Sequence, residues 1–169
     1  MAETAKGDSP AAARSKGLCL GPDRRTAALI LYADTSALVK LVLAEPGSDL
    51  AVELWVNSPR VASSILTYPE GCAALAAASR NGRLTPSHYQ QALRIFERTF
   101  DQLVSIKVDE QLAIAAGERA ASFGLRGADA VHLATALDLD DDEVTFVTWD
   151  QDLAEAAASA GLAVAGAPV

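Results

Sequence analysis

Short apolar runs alternate along this chain with longer segments whose apolar residues fall at helical spacing. Ala28 to Ala33 (ALILYA) carries no charge, the pattern of a strand buried on both faces. Asp34-Thr-Ser then opens a helix through Ala37, Leu38, Leu41 and Val42, which the pattern ends near Glu45-Pro46-Gly47. A second amphipathic helix, Ser48 to Val56, places Leu50, Leu54 and Trp55 on its apolar face, and Arg60 to Ser63 predicts another short strand. An Ala-rich helix follows to about Arg80 and stops at Asn81-Gly82. Thr85-Pro86 starts the next, with Tyr89, Leu93, Phe96 and Phe100 at helical spacing.

Leu103 to Val108 alternates as a strand, and Glu110 to Phe123 is a helix closed by Gly124. Ala128 to Asp138 is a helix, Thr145 to Thr148 a buried strand, Asp152 to Ala160 a helix and Leu162 to Ala165 a final strand. Strands alternating with helices, separated by crossovers long enough for parallel pairing, predict a three-layer α/β/α domain with a central parallel sheet. Residues 28–169 supply that domain. Residues 1–27 are Ala/Gly/Ser/Pro-rich and charged without usable periodicity, and are expected to be a flexible extension.

Acidic residues stand where these elements meet. Asp34 follows the first strand, Glu70 sits in SILTYPEG, Asp129 in LRGADAVHLATA, and Asp150 and Asp152 in FVTWDQDL. In open α/β sheets ligands bind at the carboxyl ends of the strands, and the predicted strands aim Asp34 and Asp150 at the same edge. Each acid also has a purely structural reading. Asp34 suits a helix N-cap, Thr67-Tyr-Pro-Glu70 suits a capping box, Asp129 suits the first turn of a helix, and Asp150 or Asp152 suits the cap of the last one. A cap needs no second carboxylate beside it. Clustered carboxylates repel unless a cation compensates, and hard oxygen ligands without nearby His or Cys suit Mg²⁺ or Mn²⁺ rather than zinc or copper.

Composition sharpens this picture. Half of the 169 residues are hydrophobic, enough for one domain with a proper core. No apolar run approaches the ~20 residues of a membrane span, and no apolar core follows the N-terminal basic residues as a secretory signal requires. Cys19 and Cys72 are far apart and fit neither a zinc site nor a disulfide framework, so a reducing cytoplasm is the expected home. Cys72 reads as a small apolar helix residue. Residues 1–27 hold five Lys/Arg against three Asp/Glu, leaving nine against nineteen in the domain. Such a balance opposes phosphate binding unless several of the acids hold cations.

The phrases DTSALVKL, LTYPE, LRGADAVHLATA and FVTWDQDL, in that order and spacing, resemble the consecutive motifs of a PIN-domain ribonuclease, closest to the VapC-type toxins of toxin–antitoxin pairs. The resemblance runs from about Leu29 to the C-terminus. It implies a PIN-like fold and a Mg²⁺ (or Mn²⁺) site that hydrolyses RNA, held in check by a small cognate antitoxin, in a chain that forms homodimers. Residue by residue it matches Asp34, Glu70, Asp129 and Asp150 to the candidate catalytic and metal-holding acids, and Asp152 to an additional acid often found there. Thr35, Ser36 and Thr148 match small hydroxyl residues beside the first and fourth acids. The chain departs from the pattern in its long N-terminal extension, its acidic body and the loop Asp138–Glu143, which lacks the spacing of an EF-hand.

Other residues carry less. Arg126 is placed to reach a phosphate or to stand solvated in its loop, and Arg80, Arg83, Arg94 and Arg98 are expected on solvent-facing helix surfaces. His132, one turn past Asp129, reads as a packed helix histidine. No Ser/His/Asp or Cys/His set offers a covalent nucleophile. The alternatives are a catalytically silent PIN-like module that only binds a partner, and a phosphatase starting from a strand-end Asp. The latter needs a second Asp two residues on, where this chain has Ser36.

Overall fold

The computed structural model describes residues 30–139 and 144–166. The proposed extension, Cys19, the first two residues of the predicted ALILYA strand and residues 140–143 of the acidic loop lie outside them. Strand β1 (Ile30–Ala33) leads into helix α1 (Thr35–Lys40) and then α2 (Ser48–Asn57). Next come β2 (Arg60–Ser64), α3 (Thr67–Arg80) and α4 (Pro86–Phe100), then β3 (Val104–Ile106) and α5 (Glu110–Phe123). The chain continues through α6 (Gly127–Leu137), β4 (Val144–Thr148), α7 (Gln151–Ser159) and β5 (Ala163–Gly166).

The strands form one sheet in the order β3-β2-β1-β4-β5, every neighbouring pair parallel. Strand β1 is central, flanked by β2 and β4, which is why ILYA is buried at all of its positions. Successive side chains of a strand face opposite ways, and the two faces build two cores. Leu31, Ala33, Val61 and Val147 pack with Leu38 of α1, Leu75 of α3 and Phe96 of α4. Ile30, Tyr32, Ala62 and Phe146 pack with Leu133 of α6 and Leu153 and Ala157 of α7. Helix α5 adds a further cluster against α6 through Leu112, Ala116, Ala130 and Ala134. The expected three-layer α/β/α arrangement is therefore present.

Packing across α3 and α4 is tight. Gly71 is buried, and a Cβ there would overlap the ring of Phe96, itself wholly buried. Tyr32 stacks on Phe146 with ring centroids 5.2 Å apart. Among the described residues no helix is long and apolar enough to cross a membrane.

The structure differs from the sequence pattern at three elements. Helix α1 ends at Lys40, where the Leu41 and Val42 amides fall back to carbonyls three residues earlier and the chain turns to bury Leu43. On α2, Ala51 rather than Leu50 is the buried position, while Leu50 is exposed and Leu54 and Trp55 are half-buried. Strand β3 is only Val104–Ile106, because it pairs on one side alone and at three positions.

Candidate active site

Parallel register brings the acids together. Ala33 pairs with Val147, and the Asp34 amide donates to the Val147 carbonyl at 3.1 Å, so Asp34 leaves the sheet beside Thr148. Asp150 follows two residues later on the neighbouring strand. Both acids cap helices: Asp34 Oδ1 accepts from the Ala37 amide at 2.9 Å, and Asp150 Oδ1 accepts from the Leu153 amide at 3.1 Å. Capping fixes where the carboxylates stand and still leaves each with a second oxygen.

Asp34, Glu70, Asp129 and Asp150 line one cleft of about 420 Å³, with His132 and Lys40 also in its wall. Asp152 does not join them; it stands exposed in the first turn of α7. Of the five acids singled out from sequence, four thus share a surface, contributed by the β1–α1 and β4–α7 junctions, α3 and α6.

Asp34 is almost completely buried. Thr148 Oγ1 donates to its Oδ2 at 2.7 Å and Ser36 Oγ to its Oδ1 at 2.8 Å. Thr148 in turn accepts from the Asp150 amide at 3.0 Å, tying the two acidic junctions to each other. Burial raises the Asp34 pKa despite the opposing influence of His132 and these hydrogen bonds. Three donors occupy a carboxylate with roughly four acceptor positions, so one remains.

Glu70 does not form the capping box that TYPE suggests. Helix α3 begins at Thr67 itself, whose hydroxyl pairs with Ser63 at 2.6 Å and leaves no side-chain cap. Freed from that role, the Glu70 carboxylate points across to α1 and α6. Its Oε2 accepts from Thr35 Oγ1 at 2.5 Å and meets His132 Nε2 at 2.9 Å. Partial burial pushes the Glu70 pKa up, but His132, Thr35 and Arg126 outweigh it and hold the group below its ordinary value.

Asp129 and Asp150 share one cation. Arg126 Nε donates to Asp129 Oδ2 at 2.9 Å and its Nη2 to Asp150 Oδ2 at 3.1 Å, the guanidinium itself lying largely in solvent. The sequence suggested a phosphate contact or a solvated loop for this residue; in the structure it bridges two candidate ligands. Arg83 pairs with Glu45, which also receives Lys40 at 3.4 Å. Lys40 lies over the Trp149 indole, 5.4 Å from the ring centroid. Gly47 (φ +91°) backs that indole so closely that a Cβ would overlap it.

The donor set suits a hard divalent cation. Its side chains are carboxylates and hydroxyls, and Asp34 is a buried acid that no lysine or arginine contacts among the described residues. No three His, Cys, Asp or Glu groups of the described residues form a finished ligand cage. A cation would have to compete with Arg126 for Asp129 and Asp150.

Sequence reading undervalued two residues. His132 is packed, as expected, but its two ring nitrogens meet Glu70 and Tyr32. Its spacing of three from Asp129 was the available signal, because that spacing puts both on one helix face. Nothing in the apolar run around Tyr32 marked its hydroxyl for a polar partner.

Comparison with known proteins places the chain in a family. The family model described as PIN domain matches residues 31–159. Ribonuclease VapC45 of Mycobacterium tuberculosis is 43% identical over 138 residues, covering 82% of this chain and 96% of the relative. Among solved structures, PAE2754 from Pyrobaculum aerophilum superposes with a TM-score of 0.62 at 20% identity, over 81% of this chain and 83% of that one. A toxin–antitoxin complex from Klebsiella pneumoniae gives a TM-score of 0.55 at 20% identity, over 73% and 90%. With this fold, these motifs and these relatives, the chain belongs to the PIN domain family, in its VapC-type branch.

Proposed function

We propose that the chain is a metal-dependent endoribonuclease, the toxin of a toxin–antitoxin pair, and that Asp34, Glu70, Asp129 and Asp150 are its active site. The observation that carries the reading is the buried Asp34 carboxylate, fixed by Ser36, Thr148 and the α1 amide in a cleft shared with three further acids. The similarity to Ribonuclease VapC45 supports the reaction class.

Asp34, Asp129 and Asp150 would hold Mg²⁺ or Mn²⁺, with Asp152 as an outer acid. A bound divalent ion lowers the pKa of water and neutralises charge that builds on the phosphate. Thr148 and Ser36 keep Asp34 oriented toward the cleft. Thr35 and His132 hold Glu70 by Oε2, leaving Oε1 to orient the attacking water. Water oxygen bonds to phosphorus as the bond to the 3′ oxygen breaks, and a proton reaches that oxygen. The products carry 5′-phosphate and 3′-hydroxyl ends.

The partners in this reading are RNA, a second copy of the chain and a small cognate antitoxin in the cytoplasm. An antitoxin arginine would suit the acidic cleft, as Arg126 does within the chain. The test is incubation of purified, antitoxin-free protein with total RNA and Mg²⁺ or Mn²⁺, beside chelator and an Asp34→Asn/Asp129→Asn double variant. Discrete fragments lost in both controls are expected. Cleavage persisting in the double variant would place the activity elsewhere, and a folded protein that cleaves nothing would favour a silent partner-binding module.

A further inference from the structure

Three hydrogen bonds run in series from the sheet interior to the cleft. The Ser64 amide of β2 donates to the Tyr32 hydroxyl of β1 at 3.2 Å. That hydroxyl lies 3.0 Å from His132 Nδ1, and His132 Nε2 lies 2.9 Å from Glu70 Oε2. Tyr32 is wholly buried and His132 nearly so.

Proton accounting gives the chain of bonds a direction. The Ser64 N–H takes one lone pair of the Tyr32 oxygen, and the phenolic proton must then find an acceptor. His132 Nδ1 lies 3.0 Å from that oxygen, and the buried Thr135 hydroxyl, which donates to the Val131 carbonyl, is a second partner of the same phenol. At the other end of the ring a bare Nε2 would face the Glu70 carboxylate oxygen lone pair to lone pair at 2.9 Å. Nε2 therefore carries a proton, aimed at Glu70.

We propose that Tyr32 and His132 are positioning residues for the reaction: the tyrosine hydroxyl holds the histidine ring, and the histidine fixes Glu70 by one oxygen so that the other faces the cleft. The inference rests on the ribonuclease reading of this cleft. It gives a reason for polar atoms at three points of an otherwise apolar layer, where Tyr32 also stacks on Phe146 and His132 shares a helix with the buried Leu133 and Ala136. Thr35 donates to the same Glu70 oxygen from the opposite element and lies 3.3 Å from His132 Nε2, so two donors converge on Oε2. The fixed rotamer follows from that convergence, since a carboxylate held by two donors on one oxygen cannot rotate without losing both.

The first readout is the ¹⁵N spectrum of histidine-labelled protein at neutral pH. The His132 ring is expected with its Nε2 protonated; a bare Nε2 overturns the relay. The second is Mn²⁺ affinity by calorimetry, with RNA cleavage alongside. His132→Leu should weaken Mn²⁺ binding or cleavage on the order of 10- to 100-fold, the usual effect of losing a group that orients a ligand. His132→Gln, which keeps an N–H near the Nε2 position, should recover most of the loss, and Tyr32→Phe should fall between them. Equal affinity and turnover in all three overturns the proposal; if His132→Leu fails to fold, the other two variants still decide it. A wild-type protein that neither binds Mn²⁺ nor cleaves RNA would instead overturn the ribonuclease reading, while the ¹⁵N pattern would still report the Nε2 proton.

Discussion

Replacing Asp34 with Asn should abolish cleavage and, in the absence of metal, make the protein more stable. The cap survives, because Asn serves nearly as well as Asp at an N-cap and its oxygen can still accept from the Ala37 amide. What disappears is a buried negative charge. Burial raises the Asp34 pKa, so its contribution to stability is fully present below the ordinary value of 3.8 and is lost as pH rises through the folded value. Above that folded value the ionised wild type carries the whole penalty and the Asn variant carries none.

Desolvation of an ion is partly repaid here by three hydrogen bonds, leaving a gain for Asn of roughly 1–2 kcal/mol, typical of substitutions that relieve a strained functional site. For a chain of 169 residues that corresponds to a melting temperature higher by roughly 2–8 °C. Mn²⁺ should reverse the order. At a hundred times its Kd a ligand adds about 2.7 kcal/mol, or roughly 5–11 °C, to the wild type. The Asn variant should gain much less.

The assay is thermal unfolding of both proteins with chelator and with Mn²⁺, at pH 7 and near pH 4, where the advantage of Asn should shrink. A variant less stable than wild type at pH 7 with chelator would refute the account of Asp34 as a costly buried charge. Equal gains from Mn²⁺ in both proteins would refute its place among the ligands.

Thr148→Val removes a donor to Asp34 and an acceptor for the Asp150 amide, and should cost about 1.5–3 kcal/mol at pH 7, read by chemical denaturation. That cost should diminish in acid, as Asp34 becomes protonated. Gly71→Ala forces a methyl into the Phe96 ring; overpacking of about 1–3 kcal/mol should lower the melting temperature by roughly 2–12 °C, and an unchanged melt would contradict the packing described. Arg126→Gln should lower the Mn²⁺ concentration for half-saturation by roughly two- to fivefold in low salt, measured by calorimetry. Weaker Mn²⁺ binding in that variant would mean that the arginine assists the cation rather than competing with it.

Strand β1 was legible because it is an uncharged apolar run, which burial on both faces favours. The boundaries of α5 and the Thr85-Pro86 start of α4 were legible for local reasons, a left-handed glycine stop and a capped proline. The shortened α1 was not, since its apolar spacing continues past Lys40 and only the demand to bury Leu43 turns the chain. Asp34 and Asp150 meet as their junctions foretold, because parallel register is set by the strands that precede them, while Glu70 and Asp129 reach the same cleft from α3 and α6. The Thr67–Glu70 pattern misled for an instructive reason. Thr67 found a partner in Ser63 on the preceding strand, and Glu70 found its donors in two other helices, contacts that local spacing cannot express.

Two acids of the cleft also begin helices, and the helix N–H at each donates to a side-chain amide oxygen as readily as to a carboxylate. A descendant that exchanged both for Asn would keep its helix starts, its sheet and its overlay on every active relative, while losing the charges that any cation needs. Inactivity can thus be inherited in this architecture without a trace in its shape. On the proposed site, whether a copy still cuts is written in a pair of atoms, oxygen or nitrogen, at the ends of two neighbouring strands.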